Sequence, residues 1–162
     1  MYLDIFLKSP LNTLAYLAKI DMTNIDIHLS CLEVFAKKTA LCPLPFLEKD
    51  LQSTHPKIHE MALKVLVRNP QKNSEELLSK FLEDPSETMR ATAASGLNLF
   101  TNDSVLSKLT LTLKDPAWIV RLQAALSLKK MGDDGLTILK NQNPKIDKTS
   151  YEVAQYALDF LD

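Results

Sequence analysis

The sequence predicts an all-α protein built from about five stacked helical hairpins. Three observations carry that expectation. The first is an internal repeat. The run from Asp84-Pro85 through Met89-Arg90 and Ala93-Ala94 to Leu97 aligns with the run from Asp115-Pro116 through Val120-Arg121 and Ala124-Ala125 to Leu128, at an offset of 31 residues. Self-similarity at such a period signals a repeat architecture. The second is the spacing inside each copy: Val120, Ala124 and Leu128 fall four apart, one stripe of an α-helix. The third is composition. Three glycines in 162 residues, with 46% hydrophobic and 24% charged residues, suit a soluble, mostly helical chain, because β-rich folds need more glycine at their turns.

The elements follow from the register. Stepping back by 31 residues from Met89 and Val120 reaches Ile58 and then Ile27. The small position of Ala93 and Ala124 becomes Ala62 and Cys31, and that of Leu97 and Leu128 becomes Leu66 and Phe35. On the preceding helix, Leu78 and Leu109 are matched by Leu47 and Tyr16, and Leu82 and Leu113 by Leu51 and Ile20. A further unit fits after an insertion of two residues, with Val153, Ala157 and Leu161 in the core places. Each unit reads as an A helix, a turn and a B helix. Helices are expected at 11–20, 25–38, 44–52, 56–69, 74–83, 87–100, 103–114, 117–131, 134–140 and 149–161, with a short one at 2–8. Units at 10–38, 43–69, 74–100, 103–131 and 134–162 would form a single domain, 1–162.

The turns are chemically suited to their places. Asp84 and Asp115 can accept hydrogen bonds from the free N–H groups of the following turn. Pro85 and Pro116 end the A helix and suit the start of the B helix. Ser53-Thr54 and Asn102-Asp103 read as caps, and Glu75-Glu76 favour the positive end of a helix dipole.

Composition also bounds the partner classes. Net charge is −1, and the basic residues cluster no further than the pairs Lys37-Lys38 and Lys129-Lys130. A nucleic-acid surface needs a basic stripe to neutralise phosphates, so nucleic acid is not the expected partner. Cys31 and Cys42 form no CxxC pair, and two such thiols suit a reducing compartment. No run approaches the roughly 18 apolar residues of a membrane span, and Asp4 interrupts the N-terminal apolar run that a signal peptide would need. A cytoplasmic location without membrane insertion is expected.

With Asp84-Pro85, Met89-Arg90, Ala93-Ala94, Asp115-Pro116, Val120-Arg121, Ala124-Ala125 and Met131-Gly132 in place, the pattern resembles the HEAT repeat family, in the short bacterial form related to phycocyanobilin-lyase repeats. It departs from that pattern at His28 and His59, which replace the arginine, and at Met22 and Ser53, which replace the turn aspartate. The resemblance implies a right-handed α-α superhelix, a HEAT-like solenoid whose B helices line a concave surface. It also implies that Arg90 and Arg121 pair with Asp84 or Asp115, of their own or a neighbouring unit, as structural ties between repeats.

The B-helix face opposite the core stripe carries Asp26, Leu29 and Glu33, then Lys57, Glu60 and Lys64, then Thr88, Ala91 and Ser95, and last Ile119, Leu122 and Leu126. Lys57, Glu60, Lys64, Ile119, Leu122 and Leu126 are the candidate binding residues. The apolar ridge of Ile119, Leu122 and Leu126 is either an open interaction face or is covered by residues 149–161 acting as a terminal cap. His28 and His59 occupy equivalent places near Cys31, yet no third metal ligand is evident, and His55 precedes Pro56 in a turn. Trp118 is either an interface anchor or packs over the preceding turn. No nucleophile–base constellation, phosphate loop or metalloprotease motif occurs, so no catalytic residue, metal or cofactor is expected.

Two functions fit. The first is a non-catalytic scaffold or adaptor that binds another protein, or the rest of a larger chain, with its concave surface. The alternative is an enzyme-associated, lyase-like or chaperone module that holds a cofactor-bearing or modified partner protein.

Overall fold

A computed structural model describes residues 23–37, 44–71 and 73–160 of the chain. Among the described residues all regular structure is helical, in nine helices: α1 (Ile25–Lys37), α2 (Leu44–Asp50), α3 (Pro56–Arg68), α4 (Ser74–Phe81), α5 (Glu87–Leu97), α6 (Asp103–Thr112), α7 (Trp118–Lys130), α8 (Asp133–Lys140) and α9 (Lys148–Phe160). The all-α solenoid reading holds. The observed ends fall within three residues of those expected from periodicity, the scatter usual at frayed termini. The expected helices at 2–8 and 11–20 lie outside the described residues, as do Tyr16, Ile20 and Met22.

The chain divides into two compact units, Met1–Gln71 and Lys72–Asp162. In the first, α2 and α3 form a hairpin and α3 packs on the B helix α1. In the second, α4 pairs with α5, α6 with α7 and α8 with α9, while the B helices stack as α5 on α7 and α7 on α9.

The small stripe explains the stacking. Cys31, Ala62, Ala93, Ala124 and Ala157 are all at most 2% exposed. A side chain of one to two heavy atoms in mid-helix lets neighbouring B helices approach closely, and the flanking Phe35, Leu66, Leu97 and Leu128 then fill the core. The α5–α7 contact adds a buried polar tie, in which Ser127 Oγ donates to the Ala94 carbonyl at 2.7 Å. In the first unit Asn69 Nδ2 donates to the Phe35 carbonyl at 2.8 Å, joining the ends of α1 and α3.

Turn chemistry repeats along the chain. The side-chain oxygens of Ser53, Asp84, Asp115 and Asn143 each accept the N–H two residues on, from His55, Ser86, Ala117 and Lys145, at 2.8–3.2 Å. The start of α1 is capped by Asn24, whose Oδ1 accepts from the N–H groups of Asp26 and Ile27; it stands one 31-residue step before His55, Ser86 and Ala117, which precede the later B helices. One core expectation fails in the first unit. Ile27, expected in the core stripe, is 37% exposed, and the neighbouring His28 is buried instead. The polar His28 tolerates burial because it finds a carboxylate, Asp50, at the end of α2.

The second unit holds one very close approach. A methyl added at Gly135 in α8 would run into the backbone carbonyl of Leu128 in α7. Gly132, at φ 78°, makes the reversal between these helices, a backbone region that favours glycine.

Candidate functional site

The site grows from the small outward residues of α5. Thr88, Ala91, Thr92 and Ser95 leave a groove against α7, where Ile119 and Gln123 complete the lining around about 290 Å³. Two of the three hydroxyl hydrogens are spent on the helix itself: Thr92 Oγ1 donates to the Thr88 carbonyl at 2.8 Å and Ser95 Oγ to the Thr92 carbonyl at 2.7 Å. No charged side chain lines the groove. Its edge carries a branched apolar side chain, Ile119, at 41% exposure. A neutral, shallow channel with an apolar rim can seat an apolar segment, and among its lining residues no acid or base stands beside the hydroxyls.

The remaining ridge residues are intermediate. Leu122 and Leu126 are half-buried. Helix α9 packs on α7, with Val153, Ala154 and Ala157 buried and Lys129 Nζ donating to the Ala157 carbonyl at 3.1 Å. The ridge is thus neither wholly open nor wholly covered. The polar candidates lie on α3 of the first unit, where Lys57 is exposed and Lys64 Nζ meets Glu60 Oε1 at 2.7 Å. Such an exposed i,i+4 pair contributes roughly 0.3–0.5 kcal/mol.

The two repeat arginines differ. Arg90 Nε and Nη2 reach both carboxylate oxygens of Asp115 at 2.7 and 2.9 Å, so the fork joins one hairpin to the next. Its Nη1 donates to the carbonyls of Asp84 and Pro85. Burial pushes the Asp115 carboxyl up. The Arg90 hydrogen bond, the Ala117 N–H and the charges of Arg90 and Arg121 outweigh it and hold the carboxyl below its ordinary range. Asp84 uses its own carboxylate in the turn, on the Ser86 N–H. Arg121 repeats the Nη1 contacts, with the carbonyls of Asp115 and Pro116 at 2.7 and 2.9 Å, and its guanidinium lies 5.5 Å from the Trp118 ring centroid. Its Nε is buried without a partner.

Trp118 is 44% exposed and meets Tyr156 of α9 edge-on, with centroids 5.6 Å apart. His28 Nε2 and Asp50 Oδ2 lie 2.8 Å apart in the interior, with Phe46 against the imidazole. Burial raises the Asp50 carboxyl above its ordinary range, against the hydrogen bond and charge of His28, which pull it down. Burial also pushes the Cys31 thiol up to about 11, the environment of an inert structural cysteine. Cys42 lies outside the described residues. Among the described residues no three His, Cys, Asp or Glu side chains gather at metal-binding distance, and no helix is long and apolar enough to cross a membrane.

Sequence reasoning placed Thr88, Ala91, Ser95 and Ile119 on the groove face but missed Thr92 and Gln123, which flank that line by less than half a helical turn. It missed Asp50, which ends an A helix and carries no motif. It also missed the Asn143 turn, although Asn143-Pro144 reads like the Asp-Pro pairs before it.

Comparison with known proteins agrees with this architecture. No curated protein matches the chain. A family model described as HEAT repeats matches residues 44–129 and again residues 75–154, more than half of the 162 residues. HEAT repeats commonly mediate protein–protein interaction, and the scaffold they form is typically non-catalytic. On the repeat register, the hairpin stacking and this match, the chain belongs to the HEAT repeat family.

Proposed function

We propose that this protein is a non-catalytic scaffold or adaptor that binds a segment of a partner protein along its B-helix surface, with the α5–α7 groove as the principal seat. The observation that carries the reading is the neutral groove lined by Thr88, Ala91, Thr92, Ser95, Ile119 and Gln123. The Thr92 and Ser95 hydroxyls are already satisfied within α5, which lowers the cost of seating an apolar or helical segment there. Ile119, Leu122 and Leu126 supply the apolar contacts. Lys57, Glu60 and Lys64 form a separate polar face on the first unit. The charge balance of −1 and the uncharged groove favour a protein segment over nucleic acid. The enzyme-associated alternative calls for a reactive cysteine or acid at the groove, and none is among its lining residues.

The test is a peptide-display selection against the wild-type protein, counter-screened with Ile119→Asp and Ser95→Arg. Selected peptides should lose at least tenfold in affinity on both variants while circular dichroism melts stay near wild type. Peptides that bind all three proteins equally would place the binding face elsewhere.

A further inference from the structure

Two polar groups of the α5–α7 groove are still unspent. Thr92 and Ser95 have given their hydroxyl hydrogens to carbonyls of α5. Among the described residues the Thr88 hydroxyl and the Gln123 carboxamide have no hydrogen-bond partner. Both are open to solvent, Thr88 being exposed and Gln123 half-buried. They stand on opposite walls, Thr88 on α5 and Gln123 on α7. A carboxamide carries a carbonyl that accepts and an amino group that donates. Covering Gln123 with apolar surface alone strands both. A segment that fills the groove therefore has to bring a donor and an acceptor to that place. No charged side chain lines the groove, so the complement is a neutral one.

The main chain brings both in one neutral unit, an N–H and a C=O per residue. A helical segment has spent these groups on itself except at its ends, whereas an extended segment keeps them free along its edges. Width points the same way. Ala93 and Ala124 are buried where α5 stacks on α7, and closely packed helices have axes about 8–10 Å apart. A helix with its side chains is about 10–12 Å across, so it would rest on the rims above Gln123. A single extended strand takes up only about 5 Å of width. Thr88 to Ser95 spans about 10 Å of α5, the length of about three extended residues. We infer that the partner segment enters this groove in extended form, held by main-chain hydrogen bonds to the Gln123 carboxamide. This rests on the groove reading above and narrows it to one conformation. Successive side chains of an extended segment point to opposite sides, so every second one faces the groove, where the buried Ala91 and the exposed Ile119 receive a small or apolar group.

The test takes peptides selected by display on the full wild-type chain that lose binding to Ile119→Asp. Each backbone N–H of such a peptide is methylated in turn, which removes a donor and leaves every side chain in place. At one position methylation should weaken binding to the wild type at least tenfold, and binding to Gln123→Leu by less than threefold. The bound, ¹³C-labelled peptide should show the Cα shifts of extended residues. Where Gln123→Leu does not fold, these shifts decide alone. Methylation losses that are equal on wild type and Gln123→Leu, or helical Cα shifts in the bound peptide, overturn the proposal and leave the groove reading standing. A selection that yields no peptide sensitive to Ile119→Asp overturns the groove reading, and this inference with it.

Discussion

At the residue scale, one buried acid, Asp50, and one part-buried acid, Asp115, respond to pH with opposite signs. Asp115 has its folded-state pKa lowered, since the Arg90 fork and the Ala117 N–H outweigh burial. Its contribution is therefore present above the unfolded value of about 4 and is lost as pH falls through the folded value. Asp50 has its folded-state pKa raised by burial despite His28. Its contribution is present at low pH and declines as pH rises through the raised value. Chemical denaturation across about pH 3 to 6 checks both against the unfolded reference near 4. The stability gap between wild type and Asp115→Asn should widen with rising pH, and that between wild type and Asp50→Asn should narrow. At pH 7, Asp115→Asn should cost about 2 kcal/mol, the usual worth of hydrogen bonds to charged groups. Gly135→Ala should cost about 1–3 kcal/mol, because its methyl meets the Leu128 carbonyl, which is backbone and yields poorly. The Arg90–Asp115 pair was among those that the repeat resemblance implied. The 31-residue step put Asp115 and Arg90 in known places, but Asp50 and His28 come together only when successive hairpins stack.

At the element scale, legibility followed periodicity. The A and B helices from α1 to α9 were readable because each presents an apolar stripe at spacing four, broken by Asp-Pro or equivalent turns. The cap of α1 was not named, although Asn24 stands one 31-residue step before His55, the residue that precedes α3. The groove was half legible: counting around a helix finds its facing line, but the neighbours that complete a channel depend on how closely α5 and α7 approach. The outward positions of α7 should separate by substitution. Ile119 is exposed, so Ile119→Asp should change stability by no more than about 0.5 kcal/mol. Leu126 is half-buried, so Leu126→Asp should cost about 1–3 kcal/mol. Thermal melts of the two variants check this, and equal losses would mean that α9 covers the whole ridge. Asn102→Ala should cost about 1 kcal/mol, because Asn102 Oδ1 caps α6 by accepting the Val105 N–H at 3.0 Å.

At the scale of the whole molecule, the fold was the most legible property. A repeat states one structural rule several times over, so an error in one copy is corrected by the others. Function was less legible because the rule leaves the outward faces of α5 and α7 unconstrained, and those faces carry the groove. The central claim is that the α5–α7 groove seats a partner segment. Amide chemical-shift mapping with a display-selected peptide tests it most directly. The account predicts that the largest shifts fall on Thr88, Ala91, Thr92, Ser95, Ile119 and Gln123. Saturable binding with shifts confined to other helices would contradict it.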